Sequence, residues 1–211
     1  SKCAAPAAIP TSATSSQTAR NRPACATAST PRRSISSRGV AKSPVRRTDL
    51  PAQSLLRRYL RDGHYADCYV VEVPTAVSQA EFVEAFYTTP LFKLERAILA
   101  AAVRKPSNDD DVRALARGER EAFAAWTVEE RSDTQLLLAD FMGRTRSWLM
   151  AEPTGDGGTR LHFGSAVVPK RDRDTGKPSL GAGFSLMLGF HKLYSRALLA
   201  AARNRLRRKL S

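Results

Sequence analysis

The chain has 211 residues, 42% of them hydrophobic, and a formal charge of +14. That length supports one sizeable core rather than two, and no apolar run reaches the roughly 18 residues that cross a bilayer. Of 34 Lys and Arg, 9 lie in residues 1–48, which hold no acid, and 5 lie in 203–209, so residues 49–202 carry 20 basic against 20 acidic side chains. The basicity therefore belongs to the two ends. It allows weak contact with phosphates or an anionic surface, but supplies no positioned set of side chains for specific nucleic-acid binding.

Residues 1–48 are rich in Ala, Ser, Thr, Pro and Arg, without aromatic residues or apolar periodicity. Such a stretch cannot bury enough surface to offset its ordering entropy, so it is predicted to be disordered. Its composition fits an organellar transit peptide. It also fits sequence upstream of a native start at Val40. Leu55, Leu56, Tyr59 and Leu60 predict a short helix over 51–61, ended by Asp62-Gly63. Residues 65–73 (YADCYVVEV) alternate, with Tyr69, Val71 and Val73 on one face of a strand. Ser78 and Glu81 form a capping box before a helix carrying Phe82, Val83, Phe86 and Tyr87. Pro90 interrupts it, and a second helix carries Leu91, Leu94, Ile98 and Leu99. Pro106-Ser107-Asn108 and the run Asp109–Asp111 are expected to end that pair as a solvated loop, before an exposed helix over 112–120.

The period then changes from 3.6 to 2. Strands are predicted over 122–131, 134–141, 144–152 and 159–168, joined by Ser132-Asp133, Met142-Gly143 and the turn at 153–158. Connections this short make an antiparallel meander. After a polar loop at 169–180, a long helix is predicted over 182–207, apolar nearly all round at first and Arg-rich at its end. A helix that apolar needs cover, and a meander needs one face covered. Residues 49–211 are thus expected to form one α+β domain, a curved antiparallel sheet wrapped around the C-terminal helix.

Four segments are also distinctive: residues 82–96, from Phe82 to Arg96; 143–150, from Gly143 to Met150; 163–169, from Phe163 to Pro169; and 189–196, from Gly189 to Arg196. Together they resemble an uncharacterised bacterial family of the START/polyketide-cyclase-like (SRPBCC) superfamily, over about residues 50–207. The resemblance implies a helix-grip fold with a cavity between sheet and helix, and implies no particular activity. It favours the start at Val40 and a bacterial cytoplasmic location, with an organelle as the alternative if residues 1–48 are a transit peptide. Relatives at superfamily level bind lipids, hormones or polyketides, and a few are cyclases; that is analogy by fold.

Several side chains are candidates for chemistry. His162, on the last meander strand, and His191, on the long helix, could face a cavity as acid or base. His162 alternates with Leu161 and Phe163, however, and points away if those are core. His64 reads as a surface turn residue. Asp140 and Glu152 could meet across a hairpin as paired carboxylates, or form cross-strand charge pairs with Arg144 or Arg146. Trp126, Val128, Phe141, Trp148, Met150 and Phe163 recur at period two, so they are expected to share the concave face opposite Phe184, Met187, Phe190 and Tyr194. Arg146, if it shares the Trp148 face, could receive an acidic ligand head group.

Gly181-Ala182-Gly183 lacks both the third glycine and the preceding strand of a dinucleotide fingerprint, so no cofactor is expected. Neither HExxH nor CxxC spacing occurs, and no metal is expected. Cys3, Cys25 and Cys68 form no even-numbered framework, which suits a reducing compartment with Cys68 as a small core residue. Three functions fit. The first is a non-enzymatic carrier of a small apolar or amphipathic molecule. The second is a cyclase- or hydratase-type enzyme using His191, His162 or Asp140, and the third an interaction protein with a filled core.

Overall fold

The structure is a computed structural model that describes residues 43–104, 106–171, 178–179 and 184–209. In chain order the elements are β1 (Arg46–Arg47), α1 (Arg57–Arg61), β2 (Tyr65–Val73), α2 (Gln79–Tyr87), α3 (Pro90–Val103) and α4 (Asp109–Ala116). They continue with β3 (Ala122–Phe123), β4 (Trp126–Ser132), β5 (Gln135–Asp140), β6 (Thr145–Pro153), β7 (Thr159–Val167), β8 (Lys170–Arg171), β9 (Pro178–Ser179) and α5 (Phe184–Lys209). Seven strands form one antiparallel sheet in the order β1-β2-β7-β6-β5-β4-β3, while β8 and β9 pair separately. The sheet curves around the helices of one face, and the fold is α+β of the helix-grip kind.

The hydrophobic pattern explains the layers. Tyr69, Val71 and Val73 of β2, Leu136 and Leu138 of β5, Leu149 and Ala151 of β6, and Leu161 and Phe163 of β7 cover the concave face. They pack against Phe82 and Phe86 of α2 and against Leu198, Leu199, Ala202 and Leu206 of α5. The Ser78–Glu81 capping box fixes where α2 begins, and the Thr89 side chain with Pro90 at the first position starts α3.

A second, smaller layer covers the convex face. Leu50, Leu56 and Tyr59 plug against Cys68, Leu137, Trp148, Met150 and Ala166. Trp148 and Met150 therefore lie opposite to the face expected from sequence. The cause is that β6 is buried on both sides from Ser147 to Ala151, so alternation alone cannot fix which parity faces the helices. Gly164 completes this packing: a Cβ there would sit 2.9 Å from Asp67 O, Leu56 Cδ2 and Trp148 Cε3. The Trp148 indole N–H donates to Gln135 Oε1 at 2.9 Å, and Gln135 also accepts from Leu55 N and donates to Gln53 O.

Three elements differ from expectation. The first helix covers only Arg57–Arg61, preceded by turns. Helix α4 begins at Asp109 rather than 112, because Asn108 and Asp111 form a capping box and the three aspartates occupy the electropositive first turn. The strand expected over 122–131 is split at Ala124, whose φ is 51°. Residues 43–48 lie against the sheet: Arg46 and Arg47 pair with Val70 and Tyr69, and Ser43 O accepts from Arg203 at 2.6 Å. Of the basic C-terminal residues, Arg203 is thus buried within the fold and Lys209 reaches Glu84 at 3.8 Å.

Candidate functional site: a groove between sheet and helices

Among the described residues, helices α3 and α5 leave uncovered the half of the concave face formed by β4, β5 and the ends of β6 and β7. A cavity of about 670 Å³ remains there. Its floor is buried, built from Phe86, Phe92, Phe163, Ser147 and Ser165. Its rim is apolar and exposed: Leu94 and Ile98 of α3 are each 60% exposed, Leu193 of α5 69%, and Phe141 50%.

Trp126, Phe141, Arg146, Phe163 and Tyr194, from the expected cavity set, line this groove. Val128 is half-buried against the concave core beside it. Trp148 and Met150 do not belong to the groove, for the reason given above. The side chains of Phe184, Met187 and Phe190 lie outside the described residues. The indole Nε1 of Trp126 is buried and, among the described residues, has no hydrogen-bond partner.

Three hydrogen-bonded polar groups reach the groove, through Glu95 and Tyr194, through Ser147, and through Ser165 and His191. At one wall Tyr194 of α5 donates to Glu95 of α3. Burial pushes the Glu95 carboxyl above its usual range, against the lowering effect of that hydrogen bond. On the floor Tyr87 Oη and Ser147 Oγ lie 2.9 Å apart. At the deep end Ser165 Oγ donates to Asp67 Oδ1 at 2.7 Å and lies 2.5 Å from His191 Nε2, while Tyr65 Oη donates to Asp67 Oδ2 at 3.1 Å. Because the Ser165 proton is directed to Asp67, its oxygen accepts from His191, which places the imidazole proton on Nε2 and the lone pair on Nδ1. Burial holds His191 below the ordinary imidazole range, with Asp67 pulling partly the other way.

The partners of His191 are not evident from sequence. Asp67 and Ser165 are 98 positions apart and meet because the β2–β7 register pairs them directly. Glu95 was hidden in plain view: Leu91, Leu94, Glu95 and Ile98 share one helical stripe, and the apolar members draw attention from the acid.

The other candidates fall elsewhere. Asp140 lines the groove, but its Oδ1 accepts from Arg144 N at 2.7 Å and Thr145 N at 3.2 Å, anchoring the β5–β6 turn. Glu152 lies at the opposite end of β6, roughly 20 Å away at about 3.3 Å per residue, so the two carboxylates do not meet. Instead Glu152 takes Arg160 at 3.1 Å and His162 Nε2 at 3.2 Å. The His162 ring is buried on the convex side, with Nδ1 3.9 Å from Cys68 Sγ. A Cys–His–Glu series in this order suggests a nucleophile, but burial pushes the Cys68 thiol up to about 12 and leaves it 1% exposed. The cluster is a sealed, inert core. His64 lies in the turn after α1, half-buried beside Tyr59.

Arg146 contributes to the groove wall, yet its guanidinium is engaged on the convex side. There Arg146 Nε donates to Glu129 Oε2 at 2.5 Å and to Tyr59 Oη at 2.7 Å. A β-bulge between Val128 and Glu130 turns Glu129 toward that side. The expected role of Arg146 as receiver of an acidic head group does not fit this geometry. Among the described residues no cluster of His, Cys, Asp or Glu could hold a metal ion, and no helix is long and apolar enough to cross a membrane.

No family model matches the chain, and no curated protein matches it. Among solved structures it is similar to CalU16 from Micromonospora echinospora, at 13% identity and a TM-score of 0.27, over 78% of this chain and 92% of that one. A likeness this distant carries no argument about ligand or activity. Those must come from the groove itself.

Proposed function

We propose that the chain binds and carries a small amphipathic molecule in the groove between the concave sheet face and helices α3 and α5. The observation behind this reading is the rim. Among the described residues, six large apolar side chains are exposed, and four of them, Leu94, Ile98, Phe141 and Leu193, surround this one opening. Clustered apolar exposure above a buried aromatic floor is the signature of a site that is covered in use. The volume falls within the roughly 300–1,000 Å³ that suits a molecule of a few hundred daltons.

Native mass spectrometry of the purified chain, followed by organic extraction, tests the reading. The expected result is a retained compound whose retention Ala197→Trp, which narrows the groove, weakens. An empty chain that no alkyl, sterol-like or polycyclic aromatic probe stabilises thermally would sink it.

A second reading, acid–base catalysis in the same groove, is favoured by one observation. The Asp67–Ser165–His191 series orients an imidazole whose Nδ1 keeps its lone pair. In that case His191→Gln abolishes conversion of a bound compound while leaving its binding intact.

A further inference from the structure

We propose that the groove selects amphipathic amines, with the apolar body on its aromatic walls and a protonated or quaternary nitrogen at Glu95. The inference rests on the carrier reading of the same groove and adds the chemical class of the cargo.

Helix α3 carries three charged residues close together, Lys93, Glu95 and Arg96. Lys93 and Arg96 both reach Asp109 at the start of α4, at 2.5 and 2.9 Å, and neither lines the groove. The two cations beside Glu95 on this helix are therefore committed elsewhere. Glu95 enters the groove, where the Tyr194 hydroxyl donates to it, and no cation among the described residues forms an ion pair with it.

The other charged groups around the opening do not reverse this sign. Asp140 adds a second carboxylate, already accepting two backbone N–H groups. The Arg146 guanidinium is held by Glu129 and lies over the Tyr59 ring, 4.9 Å from its centroid. Burial favours the neutral form of His191.

A carboxylate in an apolar wall without a cation carries an uncompensated desolvation cost, and this is what raises its affinity for a proton. A ligand ammonium removes that cost through a charge-assisted hydrogen bond, which a hydroxyl does only weakly. Trp126, Phe141, Phe163 and Tyr194 also line the groove, and aromatic rings attract cations. An anionic head group meets two carboxylates and a guanidinium already taken.

The test titrates the full chain by calorimetry with decylamine, decyltrimethylammonium, decanol and decanoate, each below its aggregation concentration. The same titrations are run on Glu95→Gln and Glu95→Asp. The amines are expected to bind about tenfold more tightly than decanol, with decanoate weakest. Glu95→Gln should bring the amines down to the decanol level while shifting decanol far less, and Glu95→Asp should restore part of the preference. Decanol binding with no amine preference, or a preference that survives Glu95→Gln, overturns amine selection while carriage stands. If none of the probes binds, the carrier reading fails and amine selection falls with it. A dimer that Leu193→Asp dissociates in native mass spectra would mean a second copy fills the groove, which also overturns the proposal.

Discussion

The two tryptophans show how differently the two sides of this sheet are finished. Trp148, on the convex side, is fully buried, its N–H is paired with Gln135, and Gly164 leaves room for its ring. Trp126, at the groove, is only partly covered, and its buried N–H has no partner among the described residues. The histidines repeat the contrast: His162 is sealed between Glu152 and Cys68, whereas His191 opens on the groove beside Ser165. Similar side chains are satisfied in the convex layer and, among the described residues, left with unused hydrogen-bonding capacity at the groove. Chemistry-bearing residue types alone do not mark a site; what marks it is the combination of cavity, exposed rim and unspent hydrogen-bonding capacity.

The largest expected effect breaks the sealed side. Trp148→Ala should cost about 3–5 kcal/mol in urea unfolding, through lost burial and the cavity left behind. A loss below about 1 kcal/mol would mean that the convex cluster is not a packed core. Next comes Gly164→Ala, where overpacking against backbone and the indole should cost about 1–3 kcal/mol. If it is neutral, the close approach of Trp148 to β7 is wrong.

A third prediction compares the histidines by pH. Both His162 and His191 are held below the ordinary value near 6.5, chiefly by burial. Between that value and their lower folded values the unfolded chain binds more protons than the folded one, so stability is present above about pH 6.5 and declines as pH falls. His162→Gln should flatten part of that decline in melting temperature measured from pH 7 downward. An unchanged slope would show that the sealed imidazole is not held neutral. The smallest effect belongs to the rim: Leu94→Ser and Leu193→Ser should change stability by no more than about 0.5 kcal/mol. Both should nevertheless weaken amphiphile binding in the same calorimetric titrations. A large stability loss would make these residues core rather than rim.

Much of the fold was legible in the sequence because it rests on local signals. The bounds of β2 follow from alternation over Tyr65–Val73, and the start of α2 from the Ser78–Glu81 box. The face of β6 was not legible, since Ser147 to Ala151 are buried on both sides and the deciding partner is Leu56, far away in sequence. The groove was legible only in part. Periodicity shows that Leu91, Leu94, Glu95 and Ile98 share a stripe; whether anything covers that stripe depends on how α3 is placed against α5. The Asp67–Ser165 pairing depends on strand register, which no short window of sequence contains.

The pairing of Arg46 and Arg47 with β2 has a consequence for handling the protein. A sheet's outermost strand is a template on which another chain can pair, and here both ends of the sheet are finished by strands of two residues, β1 and β3. On the β2 side the finishing strand carries two arginines, and Thr48 N additionally donates to Cys68 O. Trimming the chain to Asp49 would strip away these contacts and present the Cys68–Val70 backbone to neighbouring molecules. The six residues ahead of Asp49 thus cover a stretch of strand edge on which another chain could otherwise pair.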